Sequence, residues 1–294
     1  MKRLIVNADD FGFTRGVNAG ILRAFEQGIL TSATLMANGD AFDEAAAMAR
    51  ANPRLGVGIH LVAVGGRPLA PVAEIESLVD RDGLLPRTLI DLIKRLMRRR
   101  VRVEHLEREF AAQVERACAA GIRPTHFDSH KHAHTQPLVM KALARVASAF
   151  GVRAVRNPFE HWRAPVITGV AARARRGVYL KQYVMSATVA ARARQFHRLA
   201  RAHGLAAPDF FCGVRLTGLL DAEAVRRVIE RLGDGTTELM CHPAVYDEAL
   251  EQAATRLKRE RQRELEALTD ERVRRAVTAA GVRLINYQEM VEHV

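Results

Sequence analysis

The chain has 294 residues, 48% of them hydrophobic, and carries a formal net charge of +12 with a pI near 10.4. That apolar content, with Gly and Pro spread evenly, excludes a disordered chain and can fill the core of one large α/β domain or two smaller ones. At 5% aromatic residues there are few platforms for stacking bases, so nucleic acid is excluded as a partner; the basic balance suits solvated helix faces or an anionic surface.

Residues 3–8 read as a buried parallel strand that delivers Asp9 and Asp10 at its carboxyl end. The run Leu4-Ile5-Val6 is too short for a signal peptide, and no later segment is long enough to span a bilayer, so a soluble cytoplasmic protein is expected. A turn over Phe11–Gly16 leads to an amphipathic helix from Val17 to Gln27, stopped by Gly28. A second strand, 33–37, and a helix over Phe42–Ala51 follow. The third strand, 55–62, carries His60, which taken alone suits the core as readily as a site. Residues 63–87 form a long Gly- and Pro-rich loop, of the length that carries function. Helices over 88–100 and 103–120 precede a strand at 124–129, and Pro137 opens a helix that runs to Phe150.

Residues 152–156 read as another strand. Residues 158–187, where Pro158, Trp162, Pro165, Gly169 and Gly177 break periodicity, are expected to form an irregular excursion near the cleft. Then come a basic helix at 189–203, a strand at 210–214, a helix at 221–232 capped by Asp221, and a strand at 238–242 ending in Cys241-His242-Pro243. Helices at 249–268 and 270–280 and a strand at 282–287 complete the chain. Cys118, Cys212 and Cys241 are far apart and odd in number, which argues against a disulfide framework and for a reducing compartment. This strand-then-helix order, with about eight strands and no evident linker, predicts one α/β domain over 1–294, a parallel sheet rolled into a distorted TIM-like (β/α) barrel.

The chemistry concentrates in Thr125-His126-Phe127-Asp128-Ser129-His130-Lys131-His132-Ala133-His134, which holds four of the eleven histidines. In an extended segment His126, Asp128 and His130 share one face, and His132 and His134 fall in the turn before the helix. Imidazole at this density suits a transition-metal site; with carboxylate and water completing the set, zinc, magnesium and manganese all remain open. In a barrel every strand end opens on the same face, so Asp9, Asp10, His60, His130 and His242 converge. Singly, Asp9 or Asp10 could cap a helix, His60 could be core, and His242 could simply end a strand. Together they offer a carboxylate and two imidazoles for a metal that acidifies water, a second carboxylate to take a proton, and a histidine to protonate a leaving amine. That set suits hydrolysis of an amide or ester. The chain lacks a GxSxG elbow, a Walker A loop and a GxGxxG after the first strand.

Asn7-Ala8-Asp9-Asp10-Phe11-Gly12, Gly58-Ile59-His60-Leu61, the histidine stretch and Cys241-His242-Pro243 resemble the signature blocks of the YdjC/ChbG family of carbohydrate deacetylases, in order across nearly the whole chain. Arg156-Asn157-Pro158-Phe159-Glu160 and Phe211–Gly218 resemble its hopanoid-biosynthesis (HpnK) branch. The resemblance implies a distorted barrel that removes N-acetyl groups from amino sugars with one divalent metal ion. By motif position, Asp10, His60 and His130 would be ligands, Asp9 the general base and His242 the acid. His126, Asp128, His132 and His134 would orient ligands or line the cleft. The branch implies a hopanoid glycolipid substrate in the cytoplasmic leaflet, with peripheral contact of the basic surface to anionic lipid. A deacetylase of soluble chito-oligosaccharides is the alternative within enzymes, and a non-catalytic metal- or lipid-binding scaffold the alternative outside them. A homo-oligomer is compatible with either.

Overall fold

Leu4, Ile5, Val6 and Ala8 have no exposed surface, and the strand they form, β1 (Lys2–Phe11), is the spine of a parallel sheet. A strand covered on both faces reads as a continuous apolar run, as this one does until its acidic end. The computed structural model describes residues 1–160 and 169–292.

Helix α1 (Arg15–Gln27) follows β1, with the Thr14 hydroxyl accepting from Val17 N at its amino end. Then come β2 (Ser32–Leu35), α2 (Phe42–Ala51), β3 (Gly56–Leu61), α3 (Leu89–Met97), α4 (Val103–Ala119), β4 (Phe127–Ser129) and α5 (Pro137–Ala149). The second half supplies α6 (Val170–Ala174), α7 (Arg176–Val189), α8 (Ala193–Ala202), β5 (Phe210–Cys212), α9 (Ala222–Glu230) and β6 (Gly235–Cys241). It closes with α10 (Glu248–Gln252), α11 (Arg259–Thr269), α12 (Glu271–Ala279), β7 (Arg283–Leu284) and α13 (Tyr287–Glu292).

The strands lie in the order β4-β3-β2-β1-β6-β5, all parallel, with β7 paired to the start of β1. Single bridges, Phe127 to Val155 and Ala154 to Ala206, carry the path on from β4 toward the residues that lead into β5. The sheet therefore curls into the expected distorted (β/α) barrel, helices outside. Register sets the site's level: Ala8 faces Cys241, so Asp9 stands beside His242, and His60 faces Asp128. One apolar core lies between sheet and helices, and a small second cluster of Ile5, Ala154, Ile285, Tyr287 and Met290 fills the barrel under α13.

Several expected elements differ. The strand at 152–156 is reduced to bridges at Ala154 and Val155, flanked by a bond from Arg156 N to Phe127 O at 3.0 Å, while the Arg156 side chain turns inward to carboxylates. The strand at 282–287 is only Arg283–Leu284; Tyr287 opens α13. The helix at 249–268 is two, α10 and α11, separated where Lys258 Nζ donates to the carbonyls of Leu250, Glu251 and Ala253. Of the excursion at 158–187, residues 161–168 lie outside the described residues, whereas 170–189 is helical rather than irregular, as α6 and α7. The loop at 63–87 is as expected, with one short 3-10 turn at Val72–Glu74. It is anchored by buried Glu109, which accepts from Leu69 N and Ala70 N.

Candidate metal centre and active site

A regular strand sends adjacent side chains to opposite faces. At the end of β1 the pairing with β2 slips by one residue between Ala8 and Phe11, and Asp10 takes φ of 68°. A bulge of this kind re-aims a side chain at the cost of local strain, and here it turns both neighbouring acids into the barrel mouth.

Asp10, on that bulge, meets His60 from β3 and His130 from the end of β4. His60 Nε2 lies 3.5 Å and His130 Nδ1 3.2 Å from Asp10 Oδ1, and the two ring nitrogens are 3.3 Å apart. Asp10 Oδ1 is buried and has no hydrogen-bond partner. An orphaned carboxylate oxygen facing two imidazole nitrogens fits a divalent cation, and its chemistry admits zinc, magnesium and manganese alike.

Each member is held from behind. Arg261 Nη2 donates to Asp10 Oδ2 at 2.6 Å. His60 Nδ1 bonds Asp128 Oδ1 at 2.7 Å, leaving Nε2 toward the triad, and Thr34 Oγ1 donates to Asp128 Oδ2 at 3.1 Å. A ligating histidine needs such a partner to fix its tautomer. The second acid, Asp9, is gripped by Arg156 through two bonds of 2.8 and 2.6 Å, and His242 Nε2 is 3.9 Å from Asp9 Oδ2. His242 is fixed by its own backbone N–H, which donates to Glu264 Oε2 at 2.6 Å.

Arg156 is fully buried and is the hub of this layer: besides Asp9 it pairs with Asp128 at 2.6 Å and Glu238 at 2.8 Å, and Glu238 in turn accepts from the Tyr287 hydroxyl. An unpaired buried charge costs several kcal/mol, so the arginine and its three carboxylates are mutually required.

The charge states follow. Burial pushes the Asp9 and Asp10 carboxyls up, but Arg156 and Arg261 outweigh it and hold both well below the usual range. Burial pulls the His60 imidazole down, yet the Asp128 carboxylate carries it up to about 9. Burial lowers His130, and lowers His132 to about 3. Burial raises Glu238 to about 7 against the pull of Arg156.

The structure thus brings together Asp9, Asp10, His60, His130 and His242, with Asp128 directly behind His60. The remaining histidines are placed differently. His126 is stacked on Tyr287 at 3.6 Å, inside the barrel, and bonds the Thr125 hydroxyl; it touches no member of the triad. His132, at φ of 52°, packs edge-on to Phe211 at 5.8 Å. His134 is buried, bonded through Nδ1 to Ser129 Oγ. Sequence reasoning gave no role to Arg261, Glu238, Glu264, Thr34 or Tyr287, and saw Arg156 only as part of a motif. Glu238 had a signal, a charge directly before the apolar run Leu239-Met240-Cys241. Arg261 had none, since Lys258–Arg263 reads as a solvated helix face.

The chain is similar to known proteins over nearly its whole length. A carbohydrate deacetylase of Geobacillus stearothermophilus is 38% identical over 286 residues, 97% of this chain and 96% of its own. A chitooligosaccharide deacetylase of Salmonella typhimurium is 32% identical over 95% and 96% of the two chains. Among solved structures, an Enterococcus faecalis protein described in connection with cellobiose-phosphate cleavage superposes with a TM-score of 0.78 at 26% identity, over 98% of both chains. A sequence profile of the family described as YdjC-like protein matches residues 3–279, and the chain belongs to that family.

Proposed function

We propose that the protein is a hydrolase that removes the N-acetyl group from an amino sugar, using one divalent cation held by Asp10, His60 and His130. The observation that carries this reading is the buried, unpartnered Asp10 Oδ1 facing two imidazole nitrogens, with a second acid and a second histidine beside it. The names of the relatives support a soluble chito-oligosaccharide such as chitobiose over the hopanoid glycolipid.

In this reading Asp9 is the general base. Arg156 keeps it ionised at any working pH and points its oxygens into the mouth, where it takes the proton of the attacking water. His242 is the general acid that returns a proton to the amine as the C–N bond breaks, giving acetate and the free amino sugar. A divalent cation, when bound, supplies the Lewis acidity that polarises the acetyl carbonyl and acidifies the water. Asp128 orients His60; His132 and His134 line the wall, and His126 supports the layer from within.

Acetate release from chitobiose, before and after chelation and with metal restored, tests the proposal. Release that chelation abolishes and metal restores supports it; metal retention with no release from chitobiose or from an N-acetylglucosaminyl hopanoid would leave a binding scaffold. Release from the hopanoid alone would return the substrate to the glycolipid.

A further inference from the structure

Helix α7 packs Tyr179 and Val189 against the core yet leaves a second apolar face in solvent. Its two buried residues are polar: Gln182 Nε2 donates to Thr217 O at 2.8 Å, and Ser186 Oγ accepts from Arg215 Nε at 2.9 Å. On the other side Leu180 and Val184 are 62% and 52% exposed, with Met185 on the flank 54% exposed, and Val170 on α6 is 61% exposed. At 100° per residue, Leu180 and Val184 point away from Gln182 and Ser186. A surface helix ordinarily keeps its outer face polar, so this exposed apolar face calls for a partner.

The charge around it narrows what that partner is. No Asp or Glu occurs between Glu160 and Asp209. Within that stretch Arg173 and Arg175 are tied to Glu223 and Glu260, while Arg176, Lys181, Arg192, Arg194, Arg198 and Arg201 form no ion pair among the described residues. We propose that α7, with the basic residues around it, is a docking surface for an anionic lipid bilayer. A second copy of the chain is a poor occupant, because a two-fold interface sets the patch against itself and nothing acidic in the stretch relieves the repulsion. A soluble polyanion would answer the charges and leave Leu180, Val184 and Met185 in water. A lipid surface answers both.

The position gives the surface a purpose. Gln182 and Ser186 are fastened to the segment that leaves the carboxyl end of β5, and Arg175 reaches Glu260, the neighbour of the Arg261 that holds Asp10. The helix is therefore anchored near the barrel mouth, with its apolar face turned outward from it. The inference does not depend on which bond the site hydrolyses.

Flotation of the full chain with vesicles of phosphatidylcholine alone, or mixed with phosphatidylglycerol, is the test. The protein should bind the anionic vesicles about tenfold more tightly, and raised salt should weaken that binding. The triple variant Leu180→Ser, Val184→Ser, Met185→Ser should lose the vesicles while keeping its thermal melt and its hydrolysis of a soluble substrate. Equal flotation with both lipids, or a triple variant that floats like the parent, would overturn the proposal. So would a dimer in sedimentation that the triple variant dissolves, which would assign the face to a second copy. Acetate release is read separately in the same samples, so loss of the hydrolase reading and loss of this one show as different results.

Discussion

Arg261 grips one oxygen of Asp10 at 2.6 Å and leaves the other without a partner, facing His60 and His130. The pairing also secures a residue at φ of 68°, a backbone state that costs aspartate energy. Arg261→Gln should therefore weaken metal affinity by about ten- to a hundredfold, as loss of an outer-shell partner does. Chelator competition reads it; unchanged affinity would show that Asp10 needs no such hold.

Asp9→Asn keeps the shape of the carboxylate while removing its basicity. Acetate release should fall by about a hundred- to ten-thousandfold with metal content unchanged. Activity equal to the parent's would take the base role from Asp9.

The metal-free protein should become less stable as pH rises. His60 has a folded-state pKa of about 9 against an ordinary 6.5, so protonated His60 adds stability that is fully present below pH 6.5 and lost through about 9. The loss is on the order of 3 kcal/mol. Cation uptake displaces the same proton, so affinity should strengthen over that window. Denaturation of the metal-free protein across pH 6 to 10 checks the first part; a flat profile that His60→Gln leaves unchanged would contradict it.

Gly20 of α1 lies against the loop that follows His242: a Cβ there would stand 2.3 Å from Ala244 Cα. Gly20→Ala should push helix and loop apart, costing about 1–3 kcal/mol of stability and more than tenfold in turnover. Unchanged turnover would mean that His242 tolerates the shift.

Much of this was legible in the chain because the chemistry stands at the ends of apolar runs. Asp9 and Asp10 close the run Leu4–Ala8, His60 stands in an apolar strand, and His242 precedes a proline, so the strand pattern alone brought them to one rim. What stayed hidden has a common physical character: charges that long-range partners make buriable. Arg156 and Arg261 have no exposed role, yet each meets acids far away in sequence, and no local period encodes that. His126 was grouped with Asp128 and His130 by strand alternation and motif position, while its stacking on Tyr287 depends on α13, far along the chain.

The pairing of β7 with the start of β1, together with β6 on the same strand, sets an order of assembly. Strand β1 waits for β6 and β7, which are made long after it. Until residues 283–292 have emerged, Ile5 lacks its cover and Glu238 lacks the Tyr287 hydroxyl. Contacts of such long sequence separation form slowly. A nascent chain stalled before Tyr287 would carry every proposed ligand and still lack the finished barrel that holds them in place.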